Sequence, residues 1–188
     1  LSDVGELGWE LFTPSINAKE IYKAIKDEGQ KYQIRDVGLH ALNSLRLEKG
    51  YRHWGHDIAA EDNLFEAGLS FVAKPNASNF IGKDAFLREQ ANGTPNRRLV
   101  QFKLDDPLPL LYHNEPIIMN GKVNGYLTSG MYGHSLGSSI GMGYIKSPNI
   151  SEKKLSKSKF EIEIATKRYS AKASLRGLYD PDGKKMKL

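Results

Sequence analysis

Apolar and polar positions follow two different periods along this chain. Near the start, Leu7, Trp9 and Leu11 alternate with Gly8, Glu10 and Phe12. A period of two predicts a strand that sends Glu10 to the face opposite Trp9. Asn17, with Glu20 three residues later, has the spacing of a capping box, and Ile21, Ala24 and Ile25 supply one apolar face. A helix is therefore predicted from Asn17 to Gly29. Val37, Ala41 and Leu45, widened by Leu42, predict a second helix from about Asp36 to Lys49, closed by Gly50. Leu69 to Lys74 reads as another strand, and Lys83 to Gln90 as a short helix carrying Phe86 and Leu87.

Beyond residue 96 strand patterns dominate. Val100, Phe102 and Leu104 alternate with Gln101 and Lys103, and Phe160, Ile162 and Ile164 alternate with Glu161 and Glu163. Pro116 to Met119, then Asn120-Gly121, then Lys122 to Thr128 reads as a hairpin, because Asn-Gly supplies the positive torsions of a type I′ turn. Further strands are expected at Ser139 to Lys146 and Arg168 to Leu175. About six short strands predict a small antiparallel barrel or sandwich, and the fold class is α+β. Turn-forming residues cluster between Ala91 and Asn96, so the chain is divided there into residues 1–93 and 97–188. The charge balance changes at the same place. Residues 1–96 carry 11 Lys/Arg against 14 Asp/Glu, and residues 97–188 carry 16 against 8.

With 39% hydrophobic and 26% charged residues, the composition is that of a chain with a buried core, not of a disordered or collagen-like one. The absence of cysteine excludes a disulfide scaffold, a thiolate nucleophile, a Cys-ligated zinc and an iron–sulfur cluster within this chain. No apolar run reaches the ~20 residues of a membrane span, and no membrane partner is expected. The chain starts at Leu1, already in strand-like sequence, and is expected to be a piece of something longer.

Several segments carry candidate chemistry. In Gly5-Glu6-Leu7-Gly8-Trp9-Glu10-Leu11 the glycines permit close backbone approach, and Glu10 is a carboxylate leaving an otherwise apolar strand. Such a group accepts two parallel hydrogen bonds from a heterocycle with a ring N–H beside an amino group, as in pterin or guanine. A solvated surface glutamate has the same pattern, and the same holds more strongly for Glu6. The run Leu45 to Asp57 gathers His53, His56, Asp57, Tyr51 and Trp54 just after a helix. As metal ligands His53 and His56 would need helical spacing, which Gly55 opposes. An acid–base role for either histidine, ligand stacking by Trp54 or Tyr51, and simple packing all remain open. Gly125 to Gly137 lacks the Lys-Ser/Thr ending and following helix of a phosphate loop and reads as a turn between strands. Ser129, Ser135 and His134 lack a nucleophile elbow. Lys153, Lys154, Lys157 and Lys159, flanked by serines, read as a solvated loop rather than a nucleic-acid surface, and no nucleic-acid partner is expected.

Gly5 to Leu11, Leu45 to Gly55, Phe65-Glu66-Ala67-Gly68-Leu69, Phe80-Ile81-Gly82-Lys83 and Thr128-Ser129-Gly130 together resemble the C-terminal part of the folate-dependent aminomethyltransferase, or glycine-cleavage T-protein, family. The forms Glu-Leu-Gly-Trp-Glu-Leu and Lys-Gly-Tyr-Arg-His-Trp, with Arg97-Arg98-Leu99-Val100, are most similar to the C-terminal region of dimethylglycine and sarcosine dehydrogenases. The resemblance implies a partial folate-binding α/β domain in residues 1–93, followed by a six-stranded β-barrel. It implies tetrahydrofolate as cofactor, with Glu10 on the pterin edge, and FAD only in the missing N-terminal region; Trp54, by its capacity to stack, is the second candidate cofactor contact. The implied activity is capture of an oxidised N-methyl carbon as 5,10-methylenetetrahydrofolate. The alternatives are a free-standing aminomethyltransferase, a related folate-dependent demethylase, or a non-catalytic folate-binding module. The family's catalytic aspartate belongs to the N-terminal part, so no catalytic residue is expected here, and the isolated chain is expected to be inactive. The implied partner is the N-terminal remainder of the same polypeptide or a complementary subunit. The implied compartment is the cytoplasm, or the mitochondrial matrix in a eukaryote. Asp3 and Leu42 stand where the family often has an aromatic residue and an arginine.

Overall fold

Inward-facing apolar side chains close the second half of the chain into a barrel. A computed structural model describes residues 2–76 and 80–187. The barrel strands are β1 (Arg97–Leu104), β2 (Pro116–Met119), β3 (Lys122–Gly133), β4 (Ser138–Lys146), β5 (Phe160–Ile164) and β6 (Lys167–Ser174). They pair antiparallel in the order β1-β4-β3-β2-β5-β6, with β6 returning to β1. Closure leaves no free sheet edge. The interior is filled by Val100, Phe102, Leu104, Ile117, Leu127, Ile145 and Ile162, all fully buried, and Phe102 meets Phe160 edge-on at 5.5 Å between ring centres.

The β2–β3 hairpin turns at Asn120 (φ +52°) and Gly121 (φ +83°), the left-handed pair that a type I′ turn requires. A bulge between Leu127 and Ser129 interrupts the β3–β4 register. Such an extra residue re-aims its neighbours, and here it turns Thr128 and Ser129 toward the first half of the chain.

That first half contains α1 (Ala18–Gly29), α2 (Leu39–Glu48) and α3 (Lys83–Ala91). The C-terminal end of α2 lies against β3 and β4 and meets β1 through Leu47. There Leu47, Leu99, Ile140, Met142 and Tyr144 form a second buried cluster. Gln101, on the outward face of β1, is buried for this reason: its amide donates to the Leu47 carbonyl and accepts from Leu178 N at 2.9 Å.

Four local expectations are corrected. Residues 7–12 form no strand among the described residues and are largely exposed. Leu69 to Lys74 is not a strand, and Ser70–Val72 forms a 3-10 turn. Most of the Gly-rich segment, residues 125–133, belongs to β3, and only residues 134–137 make the turn, closed by Gly137 N on Gly133 O at 2.8 Å. Lys153, Lys154 and Lys157 lie on a short helix, α4 (Glu152–Lys157), capped by the Ser151 hydroxyl on Lys154 N. No helix among the described residues is long and apolar enough to cross a membrane.

Candidate functional site

The alternation of charged and apolar residues in Arg46-Leu47-Glu48-Lys49 drives the joint between the two halves. Leu47 enters the outer cluster, and its charged neighbours are buried with it. A buried charge needs dedicated partners. Arg46 pairs with Asp57, which is wholly buried, and donates further to Asn43 Oδ1 at 2.7 Å, Tyr51 O at 2.9 Å and Ser129 Oγ at 2.8 Å. Asp57 also accepts from Thr128 Oγ1 at 2.6 Å and His53 N at 3.0 Å, and its backbone carbonyl accepts from Tyr144 OH at 3.0 Å. Glu48 accepts from Ser135 N (2.7 Å), Ser135 Oγ (2.9 Å) and Leu136 N (3.2 Å), which clamps the β3–β4 turn onto α2.

This joint forms the floor of an open cleft of about 770 Å³ between α2, the loop of residues 51–58 and the barrel. Four of the five histidines line it: His40 on α2, His53 and His56 on the loop, and His113 before β2. His53 and His56 stack at 4.7 Å between ring centres. Tyr112 and His113 reach the cleft because Gly130 lets the chain pass over β3. A Cβ at Gly130 would lie 2.6 Å from the Leu111 carbonyl carbon. Arg46 and Arg52 add cationic groups, and Asp3 is the only carboxylate lining the cleft among the described residues. Arg52 donates to the carbonyls of Ala67 (3.1 Å) and Gly50 (2.6 Å). Burial, then the neighbouring Arg98, lowers its pKa from the ordinary guanidinium value. The Tyr144 phenol is pushed up by burial and then by the Asp62 carboxylate, and the Arg97 guanidinium lies 3.6 Å above its ring.

The two halves of this joint coincide with two known sequence patterns. Residues 1–77 match the GCVT N-terminal domain, and residues 97–180 match the glycine cleavage T-protein C-terminal barrel domain. The chain belongs to the glycine cleavage T-protein family. It is 39% identical over 188 residues to 4-methylaminobutanoate oxidase (formaldehyde-forming) of Paenarthrobacter nicotinovorans, a match that covers all of this chain and 22% of that protein. It is 36% identical over 191 residues to human mitochondrial sarcosine dehydrogenase, covering all of this chain and 21% of that protein. The fold resembles that of the glycine cleavage system aminomethyltransferase T from Bartonella henselae, with a TM-score of 0.70 at 24% identity over 86% of this chain and 45% of that one. The chain spans about a fifth of the length of the curated relatives it matches.

In this T-protein chain the residues expected at the cofactor fall apart. Glu10 is exposed on the N-terminal segment, Trp54 is exposed on the loop, and neither lines the cleft. Of the His53, His56 and Asp57 set, the two rings face the cleft while the Asp57 carboxylate turns inward to Arg46. Among the described residues no three histidine or carboxylate side chains gather to hold a metal ion. Ser129 and Ser135 serve Arg46 and Glu48 as partners, and His134 stands edge-on to Tyr132 at 5.2 Å. The pattern along the chain gave no signal for Arg46, Thr128, His40 or His113 as one site. Their meeting depends on the β3 bulge and on the approach of α2 to the barrel.

Proposed function

We propose that this chain supplies the tetrahydrofolate-binding, aminomethyltransferase-like portion of a flavin-dependent dimethylglycine or sarcosine dehydrogenase. There the oxidised N-methyl carbon is captured as 5,10-methylenetetrahydrofolate. The observation that carries this reading is the cleft, whose volume falls in the range of small-molecule sites. Tetrahydrofolate supplies the amine nitrogens that take up the carbon, and it carries carboxylates on its glutamate tail. Four imidazoles and the Arg52 guanidinium against one carboxylate suit such an anion, the Arg46 charge being matched by Asp57. His40, His53, His56 and His113 would hold its carboxylates, and Glu10 and Trp54 are assigned to the pterin.

Glu10 reaches the pterin only when the N-terminal segment is covered. Trp9, Phe12, Ile16 and Leu39 are all more than three-quarters exposed. Apolar surface of this extent marks an interaction face. The remainder of a longer polypeptide, of the kind found in the relatives, packs on it and gives residues 7–12 a strand neighbour. Residues 1–93 then complete a folate-binding domain, and residues 97–188 form the barrel that closes one side of the cleft. The compartment that accords with the human relative is the mitochondrial matrix in a eukaryote, and the cytoplasm otherwise.

Titration of 5-formyltetrahydrofolate onto this chain and onto the full natural polypeptide tests the reading. Tight binding is expected from the full polypeptide alone. Glu10→Gln in that polypeptide is expected to weaken binding by ~1–3 kcal/mol, the cost of leaving a buried donor unpaired. Equal affinity of the two proteins would overturn the need for the remainder of the polypeptide, and an unchanged affinity of the Glu10 variant would remove this residue from the site.

A further inference from the structure

The Gly5–Glu6 turn, which opens the segment leading to Glu10, is anchored from the opposite end of the chain. Lys49, directly after α2, has a side chain only 3% exposed. Its Nζ donates to Asp180 Oδ2 at 2.6 Å and lies 3.9 Å from Glu6 Oε1. Gly5 (φ +70°) rests on the methylene stem of the same lysine, where a Cβ would come within 2.6 Å of Lys49 Cγ. No side chain fits between the turn and the stem.

Asp180 is held in turn. It accepts from Lys184 N at 2.9 Å and Lys185 N at 3.1 Å, and these bonds with Lys49 keep its carboxyl down at about 2. Tyr179 N donates to Glu48 O at 3.1 Å, and the Tyr179 ring lies 5.0 Å from Lys49 Nζ and 5.8 Å from Lys185 Nζ. Tyr51 OH reaches Met186 Sδ at 3.3 Å. The charged groups meeting at this point are therefore Glu6 from the N-terminal segment, Lys49 from the end of α2, and Asp180 and Lys185 from the C-terminal segment. An exposed ion pair contributes little, but a buried ammonium that loses its carboxylate leaves an uncompensated charge. Glu10 is four residues beyond Glu6, and four residues span at most about 14 Å.

We infer that Lys49 and Asp180 are positioning residues for the Glu10 carboxylate: the C-terminal segment latches the Gly5–Glu6 turn, and the latch fixes the point from which Glu10 reaches the pterin. This rests on the folate reading above. The latch acts through Glu10 and makes no contact with ligand, so its effect should vanish when the Glu10 charge is gone.

A double-mutant cycle separates this from a purely structural role. In the full natural polypeptide, 5-formyltetrahydrofolate affinity is measured for wild type, E10Q, D180N, and E10Q with D180N. K49M, which keeps the stem beneath Gly5, and D180E, which keeps the charge, are measured alongside. D180N and K49M are expected to weaken binding about 3- to 10-fold, a loss of up to ~1.4 kcal/mol. D180E is expected to recover most of the affinity, and D180N is expected to add nothing in the E10Q background. If E10Q leaves affinity unchanged, the folate reading at Glu10 fails and the inference goes with it. If E10Q weakens binding while D180N is silent, or D180N costs the same factor in both backgrounds, the latch is structural only and the folate reading survives.

Discussion

The barrel and the N-terminal segment use the same kinds of apolar residue to opposite ends. Phe102, Ile117 and Ile162 are wholly enclosed, whereas Trp9, Phe12 and Ile16 are 78%, 90% and 86% exposed. The difference is one of closure. Six strands that return on themselves satisfy one another's ladder hydrogen bonds and enclose a common interior. Residues 7–12 have a strand's alternation but join no sheet among the described residues, and Tyr22 and Ile25 of α1 stay exposed. The barrel thus encloses an apolar core of its own, and the N-terminal segment leaves its apolar side chains at the surface.

The sharpest test of this contrast compares Phe102→Ala with Phe12→Ala in this chain by urea denaturation. Phe102→Ala should lose ~3–5 kcal/mol, the range for emptying a phenylalanine site in a core. Phe12→Ala should fall within ~0.5 kcal/mol, as for an exposed position. In the full natural polypeptide the second value should rise severalfold, and an unchanged small value there would mean that nothing covers this surface.

The joint between the regions should respond almost as strongly as the core. Arg46→Met leaves the enclosed Asp57 carboxylate without its counter-charge, a loss of ~3–5 kcal/mol, while the double change Arg46→Met with Asp57→Leu should recover much of it. Full additivity of the two changes in the same denaturation assay would show that the pair is not coupled.

A smaller effect belongs to the hairpin at the far end of the barrel. Gly121→Ala places a Cβ at φ +83° and should cost ~1–2 kcal/mol, read as a shifted denaturation midpoint with unchanged slope.

The last prediction concerns acid. The folded pKa of Asp180 is depressed to about 2, so its stabilising contribution is complete above the unfolded carboxyl value of ~3.9 and is lost as pH falls through about 2. Protection of the Lys184 and Lys185 amides against exchange, taken relative to the intrinsic rate at each pH, should persist at pH 4 and be lost only near pH 2, because Asp180 accepts both N–H groups. Release already complete at pH 4 would contradict the latch.

What the linear pattern made legible was what depends on neighbours a few residues apart. The alternation in β1 and β5, the Asn120-Gly121 turn and the periodic faces of α1, α2 and α3 all appear where expected, give or take a few residues at their ends. The misses share a cause. A strand at residues 7–12 depends on an edge that period two cannot supply, and Gln101, which should have faced water, is buried by an element more than fifty residues away. The site was less legible than the fold. His53 and His56 stand out in the sequence, but His40 and His113 join them only because Gly130 admits the preceding loop and the bulge before Ser129 turns β3 toward α2.

The amino-acid order alone therefore determined the α+β class, the six barrel strands and the family, since these follow from local periodicity, turn torsions and motif order. Tertiary structure decided which charges are buried, which histidines share a cleft and where the ends of the chain meet. A residue's burial and its partners are set by elements far away in sequence, and no window along the chain contains both sides of the contact between Lys49 and Asp180.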